Sequence, residues 1–266
     1  GTGMACTASS PCSLDQSVSG ASAGDEVIVG AGDYSLTSTL NVTTSAIDVH
    51  GAAGAERPTI TSSASTALRV SNSGASVSDL NLVDAATAGS SVLFAEEGTV
   101  ERLFVSSTGE TACPSSAPGA TIRDSVCWDS STTGEAGLDV DAGTSSATLT
   151  ARNVTAISLN GAGIVIDTVG AGDATLNATN IIAGGGNDDV FTLRGGGGSV
   201  LGSFDHSNYA TVDTVNGGTV TSAGSGSNQT AAPLLVNPAA GDFRELAGSP
   251  TIDTGVTSAL NPAGWP

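Results

Sequence analysis

The chain has 266 residues, with 26 acidic residues against seven arginines, no lysine and a net charge of −19. Nucleic acid and anionic lipid are excluded as partners, because binding phosphate takes a cationic stripe that so few arginines cannot assemble. The 36 glycines and few aromatics, with abundant Ser, Thr, Ala, Val and Asn, argue for short strands joined by tight turns, so the fold class is all-β.

In chain order, the string SLDQ from Ser13 to Gln16 reads as a capping box, with Leu14 and Val18 on one face, and predicts a short helix over residues 13–21. The stretch from Gly24 to Tyr34 follows as strand, glycine turn and strand. Six stretches then repeat one phrase, starting at Val77, Val100, Ile122, Leu149, Leu176 and Leu201, in steps of about 22 to 27 residues. That period is one coil of a parallel β-solenoid, and the helix is expected to lid its open first coil. A second apolar patch stands ahead of the phrase in each coil: Leu68 and Val70, Val92 and Phe94, Leu138 and Val140, Ile164 and Ile166, Phe191 and Leu193. The expected organisation is a disulfide-linked cap over 1–23, coils over 24–230 and a C-terminal capping module over 231–266.

Stacking the phrases puts Glu101 under Arg123 and Arg102 under Asp124. It also puts Asn153 beside Asn180, with Asn81 and Asp205 in the same column. These columns read as scaffold. The cysteines pair locally, Cys6 with Cys12 and Cys113 with Cys127, and two disulfides place the chain in an oxidising, extracellular compartment. Each pair is expected to close without constraining the solenoid core. No apolar run is long enough to span a bilayer, so no membrane insertion is expected.

The opening, from CTASSPC (Cys6 to Cys12) through GDEVIV (Gly24 to Val29) to Gly32-Asp33-Tyr34, resembles the start of secreted bacterial right-handed parallel β-helix proteins of the pectin-lyase-like superfamily. The stretches APLLV (Ala232 to Val236), GDFR (Gly241 to Arg244) and GSPTIDTG (Gly248 to Gly255) are similar to the C-terminal module of such proteins. The resemblance supplies the handedness and implies a surface or secreted protein. It implies either a scaffold without assigned activity, or a polysaccharide lyase or glycosidase.

Lyases of this group typically use a lysine or arginine base with acidic calcium ligands. A lysine base is excluded here, and an arginine among carboxylates has its proton held more tightly. The glycosidase pattern of the superfamily is not reproduced, since Asp188-Asp189 and His50-Gly51 are isolated fragments. Asp205 and His206 form a polar pair, but neighbouring residues of a strand point to opposite faces. The strongest local candidate is a column of Asp141, Asp167 and Arg194 on consecutive coils, where two stacked carboxylates are expected to share a calcium ion or form a retaining-glycosidase pair. Of the aromatics Tyr34, Trp128, Tyr209 and Trp265, Trp128 follows an inward cysteine and should face out. Trp128 and Tyr209 are the expected glycan contacts. The leading expectation is thus a non-catalytic adhesion or glycan-contact scaffold that needs no cofactor, and the alternative is an aspartate-based carbohydrate-active enzyme.

Overall fold

The capping box forms as predicted. Ser13 Oγ accepts from the Gln16 amide at 3.3 Å, and helix α1 (Leu14–Gly20) buries Leu14 and Val18 over strands Glu26–Val29 and Leu40–Val42. The structure is a computed structural model, and it describes residues 6–7, 9–64, 66–84, 91–223 and 227–257. From Glu26 the chain winds into a right-handed parallel β-helix of about seven turns.

Each turn contributes to three faces. The first face runs from Glu26–Val29 through Asp48–Gly51, Ser76–Ser78 and Thr99–Glu101. The second starts at Asp33–Leu36, Thr59–Ser62, Asn81–Asp84 and Phe104–Ser107. From the fifth turn the two faces share unbroken strands, Pro118–Asp129, Ala147–Ser158 and Ala174–Gly185. The third face holds a three-stranded sheet (Leu40–Val42, Thr66–Val70, Ser91–Ala95). A five-stranded sheet continues it, through Cys113–Ser115, Leu138–Ala142, Ile164–Thr168, Val190–Arg194 and Val212–Val215.

A single inward column sets the register. Val27, Val49, Val77, Val100, Ile122, Ala151, Ala178 and Phe204 stack directly, and each is buried. Truncating Ile122 to Ala here would cost about 2–5 kcal/mol through lost transfer energy and a cavity. The residue that turns the first face into the second lies two places further on. Asp79, Arg102, Asp124, Asn153, Asn180 and His206 all have φ between 46° and 58°, the left-handed region that Asn and Asp tolerate best.

This register corrects part of the sequence reading. Asn153 and Asn180 do stack, and the Asn180 amide donates to Asn153 Oδ1 at 2.8 Å. Asn81 and Asp205, however, lie outside that column: Asn81 pairs with Thr59 and Phe104, and Asp205 with Thr179. The phrase starts at Leu149, Leu176 and Leu201 fall two or three residues ahead of the residues that stack on Ile122. A slip of two keeps every side chain on its own face, so alternation alone does not reveal it. Glu101 sits beside Arg123 as predicted and pairs with it. Arg102 grips Asp79 at 2.8 Å and contacts Glu101, while Asp124 accepts from Asn153 at 2.7 Å.

Both disulfides are present. Contrary to expectation, the second lies in the core. Cys113 from the third face and Cys127 from the second are both fully buried, and their bond crosses the solenoid interior. Closing this loop is worth about 3 kcal/mol.

After the coils, hairpin strands Leu235–Asn237 and Asp242–Glu245 fold back on the second face, where Phe243 meets Trp128 at 5.8 Å between ring centroids. The following segment returns to the corner column. Val256 exchanges both backbone hydrogen bonds with the Asn180 amide, at 2.8 and 2.9 Å, and accepts from Arg152 at 2.7 Å.

Candidate functional site

Strand Leu138–Ala142 alternates strictly, burying Leu138, Val140 and Ala142 and turning Asp139 and Asp141 outward on the third face. Strand Ile164–Thr168 is in register beside it, so Asp167 lies directly against Asp141, about 4.8 Å away at the backbone. Asp139 is flanked by Pro114 and Val165. Each of the three carboxyls has its Oδ1 sealed from solvent without a hydrogen-bond partner among the described residues.

The electrostatics follow from that placement. Burial pushes the Asp167 carboxyl up to about 6, and the Asp141 charge adds to it. Asp139 is driven well above the ordinary carboxylate range, first by burial and then by Asp167, Asp141 and Glu135. Burial alone raises Asp141. Asp139, whose residue surface is still partly open while its Oδ1 is enclosed, is absent from the sequence reading. The signal was present, because Asp139 and Asp141 sit two apart in an alternating strand.

Arg194 does not join the column. Its row partner is Thr168, Leu193 stands against Asp167, and the guanidinium donates to the Gly198 and Gly197 carbonyls. Hydrophobic size favours Phe191 and Leu193 as the inward pair. The structure buries Val190 and Thr192 instead and leaves Phe191 and Leu193 outward beside the aspartates. A one-residue slip exchanges the two faces, and the same slip separates Val92 and Phe94 from Leu93 and Ala95, which take the stacked positions next to Leu68 and Val70. The outcome is an apolar, partly aromatic margin, Val165, Phe191 and Leu193, next to three unneutralised carboxyls.

Calcium takes six to eight oxygen ligands. Among the described residues no group of three or more His, Cys, Asp or Glu side chains could hold a metal ion. Two stacked carboxyls with Asp139 two residues away supply few of those oxygens, so the aspartates fit that cation poorly.

Neither expected glycan contact presents an exposed ring. Trp128 faces outward, as predicted, but is packed between Phe104 at 6.3 Å and Phe243. Tyr209 lies 4.8 Å from Phe204 and packs on the core. Trp265 is outside the described residues. A groove of about 1030 Å³ lies between the cap and strand Glu26–Val29, and a cavity of about 90 Å³ lies under the C-terminal segment. Neither includes the three aspartates.

No family model and no curated protein matches the chain. Solved structures do. Over 95% of this chain and 88% of the other, pectate lyase Pel9A is 13% identical with a TM-score of 0.54. The pectin methylesterase from Aspergillus niger is 12% identical over 84% of this chain and 82% of its own, with a TM-score of 0.53. The fold is that of the pectin-lyase-like parallel β-helices. At this identity the likeness establishes architecture and leaves the chemistry to the residues. No helix of the described residues is long and apolar enough to cross a membrane.

Proposed function

We propose that this chain is an extracellular carbohydrate-active β-helix that hydrolyses polysaccharide at Asp139, Asp141 and Asp167. The observation that carries the reading is the trio of outward carboxyls with raised proton affinity, each with a sealed oxygen and no neutralising partner. Perturbed carboxyls of this kind concentrate at sites of acid–base chemistry. Two disulfides and fold neighbours named for pectin support the compartment and the substrate class.

β-Elimination is disfavoured. Arg102 has its proton held more tightly than usual, chiefly by Asp79 and then by Glu101, so it is a poor base. Hydrolysis uses what is present. Asp167, near 6, holds its proton at mildly acidic pH and gives it to the glycosidic oxygen as the bond to the anomeric carbon breaks. Asp141, one strand away, attacks that carbon as carboxylate, a separation of the retaining kind. Water then cleaves the glycosyl ester while Asp167 takes back a proton, which restores both groups. Asp139 stays protonated and donates to a substrate oxygen, and Phe191 offers a ring face to the sugar.

A second reading is favoured by one observation. The first face carries a flat rank of short polar side chains, from Ser76 through Thr99, Thr121, Thr150 and Asn177 to Ser203, in unbroken register. Such a rank suits a scaffold that contacts glycan without turnover. The deciding experiment measures reducing ends, unsaturated products and released methanol from pectate, methyl-esterified pectin and neutral glycans at pH 5. Hydrolysis lost by at least 100-fold in Asp141→Asn and in Asp167→Asn supports the proposal. Binding without product supports the scaffold, and unsaturated product would replace hydrolysis with elimination.

A further inference from the structure

Asp205 ends strand Val200–Asp205, and His206 takes φ 46°, which turns its ring back over its neighbour. The two side chains that an extended strand would have kept apart therefore meet, His206 Nδ1 donating to Asp205 Oδ1 at 2.7 Å. Ser227 fastens the pair, giving its hydroxyl proton to Asp205 Oδ1 at 3.2 Å and accepting from the His206 amide at 3.2 Å. Because the carboxylate accepts at Nδ1, the neutral ring presents Nε2 as an acceptor. Among the described residues Nε2 has no partner, and His206 borders the cavity of about 90 Å³.

The rest of the lining is uncharged, and most of it is polar. Gln229 brings an amide that makes no side-chain hydrogen bond among the described residues. Asn208 has its Nδ2 committed to the Ala231 carbonyl at 2.7 Å. Thr254 donates to the Thr251 carbonyl at 2.8 Å and so faces the cavity as an acceptor. Ile182 supplies an apolar patch. The opposite wall, residues 251–255, comes from the C-terminal segment that Val256 pins to Asn180.

We propose that this cavity is a binding site for the vicinal diol edge of a neutral pyranose, with His206 Nε2 accepting one hydroxyl and the Gln229 amide bridging the next. The volume corresponds to about three waters, enough for two hydroxyls and their carbons and too small for a buried ring. An anionic sugar is disfavoured, because the site has no cationic lining residue when His206 is neutral, Asp205 stands behind it and the chain carries −19. The site is on the opposite side of the coil from the third-face aspartates and does not rest on their role.

The test is a ¹H–¹⁵N NMR titration of the full chain at pH 7.5 with methyl β-D-glucopyranoside, methyl β-D-galactopyranoside and D-galacturonate. Saturable shifts at His206, Gln229 and Thr254 with at least one neutral glycoside are expected, at least five-fold weaker with galacturonate. His206→Asn, which tolerates the left-handed backbone, and Gln229→Ala should each weaken binding at least ten-fold. Asp167→Asn should leave it unchanged. Absence of shifts with both glycosides at 100 mM, or equal binding by His206→Asn, would overturn the site.

Discussion

The corner between the first and second faces and the outer side of the third face both stack polar groups turn upon turn, yet they treat charge in opposite ways. At the corner Asp79 is gripped by Arg102, Asp124 by Asn153, and Asn153 by Asn180. Even the fully buried Asp129 nearby accepts three hydrogen bonds, from the Ser131 amide and hydroxyl and from Ser158, at 2.8 to 3.0 Å. On the third face the Oδ1 atoms of Asp139, Asp141 and Asp167 are enclosed without a hydrogen-bond partner among the described residues. A scaffold satisfies its polar groups, and a site keeps some unsatisfied for a ligand. The comparison therefore supports the proposed site in a way that the count of acidic residues does not.

Breaking the corner should have the largest effect. Asn153→Leu places a branched side chain at φ 52° and strands the Asp124 and Asn180 groups, for an expected loss of about 2–4 kcal/mol of stability by chemical denaturation. Asn153→Gly should recover the backbone part of that loss and not the hydrogen bonds. Equal stability of the Asn153→Leu variant and the parent chain would mean that the amide ladder contributes nothing.

On the third face the sign reverses. A carboxyl whose folded proton affinity is raised contributes stability that is fully present below its unfolded pKa, about 4, and lost as pH rises through its folded value, about 6 for Asp167. The melting temperature should fall across this window. Asp167→Asn should flatten the fall and raise stability at pH 7 by about 1–2 kcal/mol, allowing for solvent screening of a partly exposed group. A variant less stable than the parent at pH 7 would contradict an unneutralised cluster. Hydrolytic activity should decline above pH 6 as Asp167 loses its proton.

Calcium should have the smallest effect. With so few carboxylates, preferential binding to the folded chain is weak, and 5 mM calcium is expected to raise the melting temperature by no more than about 1–2 °C through mass action. The doubly substituted chain, Asp141→Asn with Asp167→Asn, should lose even that. A shift of about ten degrees would show a ligand set that the described residues do not reveal.

The solenoid was legible because its signals are redundant. The capping box at Ser13 and the period of the phrases point to the same fold, both cysteine pairings follow from their local spacing, and the pairing of Asp141 with Asp167 followed from matching Leu138 and Val140 to Ile164 and Ile166. What failed was register, wherever hydrophobic size competed with position. Phe191 outranks Val190 as a core residue on hydrophobicity, but the stack over Ile164 takes Val190 and puts Thr192 inside, which displaced Arg194 from the acidic column. The contact of His206 with Asp205 runs against the strand alternation that set the pair aside, because alternation does not extend through a left-handed residue. The packing of Trp128 against Phe243 was not legible at all, since it arises from a hairpin more than a hundred residues away in sequence.

The central claim is that Asp167 holds its proton more tightly than an ordinary carboxyl because it is buried beside Asp141 and no described residue neutralises it. Titrating the side-chain ¹³C carboxyl shift of Asp167 tests it most directly. The account predicts a midpoint near 6 that falls when Asp141 is replaced by Asn. A midpoint at the ordinary value of about 3.9, unmoved by that replacement, would contradict it.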